Sequence, residues 1–128
     1  MNRCRITLEE IPDGIRYSRA GLKRLDARLI DIHPLPYTLA QQLEEAAARA
    51  DKMSVQGVQP KLSAVLRIKE SRFEVVDRGG RFILKSCPPQ WPEVPANEAL
   101  TMTLAERSGI EVPVHGLVEA TDGSMVYF

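Results

Sequence analysis

The alternation of apolar and polar residues divides the chain into an irregular opening, one helix, three strands, a second helix and two further strands. Residues 1–36 carry Pro12, Gly14, Gly21, Pro34 and Pro36 among short apolar pieces, a spacing that suits loops around one short strand at Arg5–Leu8. Ser18 stands before Arg19-Ala20-Gly21-Leu22 and is placed to cap a helical turn there. Thr38 followed three residues later by Gln41 is a capping-box pattern, and the strong helix formers after it predict a helix near 38–50. Helical spacing puts Leu39, Leu43, Ala46 and Ala47 on its inward face. The period then drops to two. Leu62–Ile68, Arg72–Asp77 and Arg81–Lys85 read as strands, linked by Lys69-Glu70-Ser71 and by the turn signal Asp77-Arg78-Gly79-Gly80. Three consecutive strands with short links predict an antiparallel meander. Prolines 88, 89, 92 and 95 surround Trp91 and make 87–95 an extended loop, with the tryptophan as its anchor. Asn97 is expected to cap a helix to about Ser108, with Leu100 and Leu104 inward and Gly109 just past its end. Val112–Val118 and Met125–Phe128 supply the last strands, turned by Thr121-Asp122-Gly123-Ser124.

The fold class that follows is α+β, an antiparallel sheet of about five strands with a helix after the third. It divides into an N-terminal segment at 1–50 and a sheet-forming domain at 51–128. At 128 residues there is material for one modest core. Lys plus Arg and Asp plus Glu balance at 17 each, which argues against a dedicated nucleic-acid coat or a polybasic membrane binder. No apolar run approaches the roughly 20 residues needed to cross a bilayer, and MNRCRITLEE lacks the apolar stretch of a secretory signal. Cys4 and Cys87, far apart and outside any CxxC pair, read as free thiols of a cytoplasmic protein. His33 and His115 have no partners at metal-ligand spacing and read as structural. Met125-Val126-Tyr127-Phe128 closes the chain inside an apolar strand pattern, so the expectation is a chain that is truncated or pairs with something else.

Three features carry chemistry. Met53-Ser54-Val55-Gln56-Gly57-Val58-Gln59-Pro60-Lys61 leads into the first strand of the sheet. A phosphate needs backbone N–H groups brought close and a cation beside it, and Gly57 with Lys61 offers both. The segment fits neither the GxxxxGK[ST] nor the GxGxxG pattern, and from the residues alone a strand-entry loop with an incidental glycine is the better account. Lys85 ends the apolar strand Phe82-Ile83-Leu84, where an ammonium either reaches out to solvent or meets an anion. Glu98 opens the following helix. It is placed to pair with Lys85, although a carboxylate in a first helical turn is also favoured by the helix dipole alone. A glycine loop, three strands, a lysine on the third, a helix with an early glutamate and two more strands is the order found in the N-lobe of a protein kinase.

The blocks SVQGVQPKLS, RFILK and ANEALTMTLAERSGIEVPVHGL, in that order, resemble the N-terminal region of the HipA-family serine/threonine protein kinases, toxins of bacterial toxin–antitoxin systems. The match covers about 53–128. The opening Cys4-Arg5-Ile6 and the Tyr17-Ser18 and Gly21-Leu22 pieces are similar to the shorter, HipT-like members, whose missing first subdomain comes from a separate partner protein. The resemblance implies a kinase N-lobe that ends before the interlobe hinge. It assigns ATP binding to Gln56, Gly57, Val58, Gln59, Lys61 and Lys85, autophosphorylation to Ser54, and the lysine-pairing role to Glu98. Some short members carry a second serine where this chain has Gln56, which leaves Ser54 as the available regulatory serine. ATP and Mg are the implied cofactors, the metal ligands and catalytic aspartate being expected from a C-terminal lobe. Antitoxin proteins and a protein substrate are the implied partners, with no direct contact to nucleic acid or membrane. No catalytic residue is expected within the chain itself. A reading of another class remains beside this one: a non-catalytic, N-lobe-like interaction module that binds a kinase lobe or an antitoxin. Whether the reading frame continues past Phe128 into an aspartate-containing catalytic loop separates the two.

Overall fold

The computed structural model describes residues 1–49 and 60–128. A two-stranded hairpin, β1 (Asn2–Arg3) with β2 (Glu10–Ile11), opens the chain, followed by helices α1 (Arg19–Leu25) and α2 (Leu39–Arg49). Strands β3 (Lys61–Arg67), β4 (Arg72–Val75) and β5 (Phe82–Ser86), helix α3 (Val94–Arg107) and strands β6 (Leu117–Glu119) and β7 (Met125–Tyr127) complete it. The fold is α+β, a five-stranded antiparallel sheet with the architecture of a kinase N-lobe.

The strands do not lie in chain order. The sheet runs β4-β3-β5-β7-β6, so β3 sits between the two strands that follow it. The link from Val75 to Phe82 therefore crosses β3. Val76 N–H donates to the Ser63 carbonyl on one side, and Arg81 N–H donates to that of Ala64 on the other. Gly80 makes the crossing feasible, since a Cβ there would stand 2.8 Å from Ser63 Oγ. Strand propensity carries no information about such a crossover, which explains why a simple meander is what the sequence predicts.

Local chemistry accounts for most element boundaries. Ser18 Oγ accepts from Gly21 N–H at 3.0 Å and starts α1. Thr38 and Gln41 close a reciprocal capping box at the head of α2. Gly109, at φ 90, ends α3. Arg5–Leu8 forms no strand: Leu8 N–H bonds back to the Cys4 carbonyl, Leu8 takes φ 63, and the piece becomes the tight turn of the β1–β2 hairpin. The strand expected from Val112 is shorter, Leu117–Glu119, preceded by a reciprocal backbone pair between Gly116 and Phe128; Pro113 has no N–H to extend a ladder at its own position. Helix α3 starts at Val94 rather than after Asn97, with Pro95 in its first turn.

One apolar interior serves both parts of the chain. Cys4, Ile6, Tyr17, Leu22, Ile32 and Leu35 pack in a single cluster with Leu62, Leu84, Phe73, Val118, Val126 and Phe128 of the sheet. Backbone bonds reinforce the union: Leu117 N–H donates to the Arg5 carbonyl, and Leu35 bridges Ala120 in parallel. Cys4 and Cys87 are both buried free thiols. Among the described residues no helix is long and apolar enough to cross a membrane.

Helix α2 is tied to the turn between β6 and β7 by Asp122. Its carboxylate accepts from Ser124 Oγ at 2.6 Å and from the Leu39 N–H, at the head of the helix, at 2.8 Å. The hydroxyl of Ser124 foremost, then the Leu39 amide, holds the Asp122 carboxyl below the usual carboxylate range. The stabilisation is thus complete above the ordinary aspartate pKa and disappears as pH falls through the depressed value. Asp122→Ala is expected to cost about 1 kcal/mol at neutral pH, as loss of a helix cap does. The gap between the urea midpoints of variant and parent should shrink once pH drops below about 4, where a free aspartate protonates. A gap of constant size across that range would contradict the carboxylate's role.

Candidate functional site

The two faces of the sheet carry different chemistry. Leu62, Ala64 and Leu84 point into the common core. Their neighbours Lys61, Ser63 and Lys85 therefore point to the other face, where α3 packs on Tyr127 and Leu117. Register brings two of the expected site residues together: Lys61 and Lys85 are directly opposed Cα partners on β3 and β5. Like charges so placed repel unless a counter-charge lies nearby.

Glu98 enters from α3. Lys85 Nζ donates to Glu98 Oε1 at 2.5 Å, and each side chain is about a quarter exposed, at 28% and 26%. Because α3 begins at Val94, Glu98 lies in its second turn, and no acidic residue occupies the first. The helix dipole acts within the first turn only, so it does not explain this glutamate. The ion pair does.

Helix α3 approaches the sheet through small residues. Pro95, Ala99 and Thr103 are its buried positions, one turn apart; Ala99 packs with Tyr127 and Leu117, and the Thr103 hydroxyl meets His115. Leu100 and Leu104 face outward instead, 49% and 55% exposed. The small side chains bring the helix backbone close enough for Glu98 to meet Lys85. Leucines on that face would hold it off.

Tyr127 completes the support for the lysine. It is the cross-strand partner of Lys85, whose ammonium lies 5.6 Å from the ring centroid. His115 stacks on the same ring at 6.4 Å, anchored through Nδ1 to the Pro113 carbonyl and through Nε2 to the Thr103 hydroxyl. Burial, with the Glu98 charge adding to it, pushes the Tyr127 phenol up to about 12. A cavity of about 440 Å³ opens beside these groups, with Lys85, Glu98, Ile83, Met102, Val114 and Tyr127 in its walls. Apolar walls around an ammonium suit a flat, apolar ligand body that carries an anionic tail.

Ser54, Gln56, Gly57, Val58 and Gln59 lie outside the described residues. Pro60 and Lys61 resume the chain where that segment ends, and Ser86 N–H donates to the Pro60 carbonyl at 3.2 Å. Among the described residues no three His, Cys, Asp or Glu side chains cluster as a metal site. Tyr127 carries no local signal in the sequence beyond its place in an apolar strand. Only its register opposite Lys85 reveals it.

Residues 53–128, more than half of the chain, match the family model described as the HipA-like C-terminal domain. A protein of Haemophilus influenzae bearing the description "Putative kinase" is 33% identical over 121 residues, which cover 92% of this chain and 35% of that relative. The chain thus spans about a third of the length of the curated relative it matches.

Proposed function

The chain belongs to the HipA-like, kinase-related family, and on that premise we propose that it forms the N-terminal, ATP-binding part of a serine/threonine protein kinase of the toxin type. The observation that supports this most is the Lys85–Glu98 pair on the wall of the 440 Å³ cavity. Lys85 is positioned to meet the α- and β-phosphates while Glu98 fixes its direction. Lys61, opposite it, neutralises further phosphate charge, and the 54–61 loop contributes backbone N–H donors. Magnesium, if bound, would be held by ligands of the parent protein's C-terminal lobe and would offset phosphate charge. The acceptor-orienting aspartate comes from the same place, so transfer chemistry belongs to the parent protein and this chain alone is inactive. The partners in this reading are an antitoxin and a protein substrate, in the cytoplasm.

Ser54 regulates the site in the same reading. Its phosphate would bring roughly −1.5 to −2 charge into competition with the nucleotide for Lys61, Lys85 and the loop amides. Titrating the parent protein with a fluorescent ATP analogue tests both claims. The unphosphorylated protein is expected to bind, and Ser54→Asp to bind several-fold more weakly. No binding by the unphosphorylated parent protein sinks the nucleotide reading, and equal affinities sink the regulatory one. The outward leucines of α3 favour the alternative of a non-catalytic module that binds a kinase lobe or antitoxin. In that case, too, the titration shows no binding.

A further inference from the structure

Helix α2 buries an amide where its sequence offers apolar residues. Gln42 is fully buried, while Ala47 on the expected inward face is exposed. Isolated from water, the Gln42 side chain is satisfied at both ends. Its Oε1 accepts from Ser86 Oγ at 2.6 Å, and its Nε2 donates to the Tyr37 carbonyl at 3.1 Å. Ser86 is fully buried too. A buried polar pair of this kind is costly to leave half-made, so it fixes the geometry of the backbones that carry it.

Those backbones are the ones that bear the site. Ser86 follows Lys85 directly on β5, and its N–H holds the Pro60 carbonyl, one residue before Lys61 on β3. The amide of α2 thereby grips the junction from which both opposed lysines project. Asp122 at the head of the helix and Asp77, bound by Arg49 Nε at 2.7 Å at its end, keep α2 from sliding along the sheet. We infer that Gln42 is a positioning residue: through Ser86 it sets the end of β5 so that Lys85 reaches Glu98, which makes α2 a working part of the lysine site. The purpose assigned to the tie rests on the nucleotide reading of the cavity, but its existence is testable without nucleotide.

The test is competitive acylation of the folded chain by trace acetic anhydride, with labelling at each lysine read by mass spectrometry. Lys69, on the β3–β4 turn, serves as the internal reference. In Gln42→Leu, and independently in Ser86→Ala, Lys85 labelling relative to Lys69 is expected to rise about two- to fivefold, the range that release of a partly exposed ion pair spans. Leu22→Ala, which opens the core under α1 without touching the tie, should leave the ratio unchanged although it lowers stability. Ratios equal to that of the unmodified protein in both tie variants, at matched folded fraction, overturn the inference. So does a rise of the same size in Leu22→Ala. Should Gln42→Leu fail to fold, Ser86→Ala alone decides. A parallel set with ATP and magnesium in the parent protein reads the other question: absence of protection at Lys85 there counts against the nucleotide reading and leaves the nucleotide-free ratios standing.

Discussion

Replacing Lys85 by alanine in the parent protein is expected to lower autophosphorylation by about a hundredfold or more, the loss that follows removal of one preorganised group that stabilises developing charge. Under the proposed toxin reading, growth arrest on expression should be lost with it. Glu98→Gln should produce a smaller defect in the same direction, since it frees the ammonium without deleting it. The pair is about three-quarters buried, so removing one partner should also lower the thermal midpoint, and autophosphorylation is therefore compared at a temperature where both variants remain folded. Compared in that way, the loss of activity separates a site residue from a structural one. Undiminished autophosphorylation and toxicity in Lys85→Ala would remove the central assignment, whatever the stability of the variant.

The largest expected effect on folding lies on the opposite face of the sheet. Phe73→Ala should destabilise the chain by about 3–5 kcal/mol, the loss typical of a truncated core aromatic. Phe73 is 1% exposed. Its ring meets Phe82 edge-on with centroids 5.2 Å apart and Phe128 at 5.0 Å. Such ring pairs add about 0.5–1.5 kcal/mol beyond the area they bury. The three aromatics come from β4, β5 and the residue after β7, so the cavity left behind cannot be closed by one strand shifting. Urea unfolding followed by far-UV circular dichroism measures the loss. A change below about 1 kcal/mol would mean that the interior collapses around the missing ring, which the close packing of native interiors does not favour.

Legibility in the sequence followed how local the cause was. The strands β3, β4 and β5 were readable because alternation marks a sheet with one buried face. The caps of α1 and α2 were readable because Ser18, Thr38 and Gln41 act within one turn of themselves. The Lys85–Glu98 proximity was legible only as an order of elements, since its geometry depends on how closely α3 lies on β7. Failures share the opposite cause. Leu100 and Leu104 face outward because close approach at Ala99 and Thr103 fixes the helix phase, and hydrophobicity alone favours the leucines. Gln42 was missed because a glutamine in a helix reads as surface, and only a buried hydroxyl on a distant strand gives it a reason to be inside. The crossing of β3 was missed because nothing in Asp77-Arg78-Gly79-Gly80 distinguishes a link over a strand from a plain turn.

The interior shared by the first forty residues and the sheet bears on how this protein tolerates being cut or shuffled. Ile6 and Val126 lie in one cluster at opposite extremes of the sequence. A protease nick or recombination joint near residue 36 would therefore split one cooperative unit rather than release a tail. Homologues that exchange their leading segment should have to exchange the facing strand residues with it.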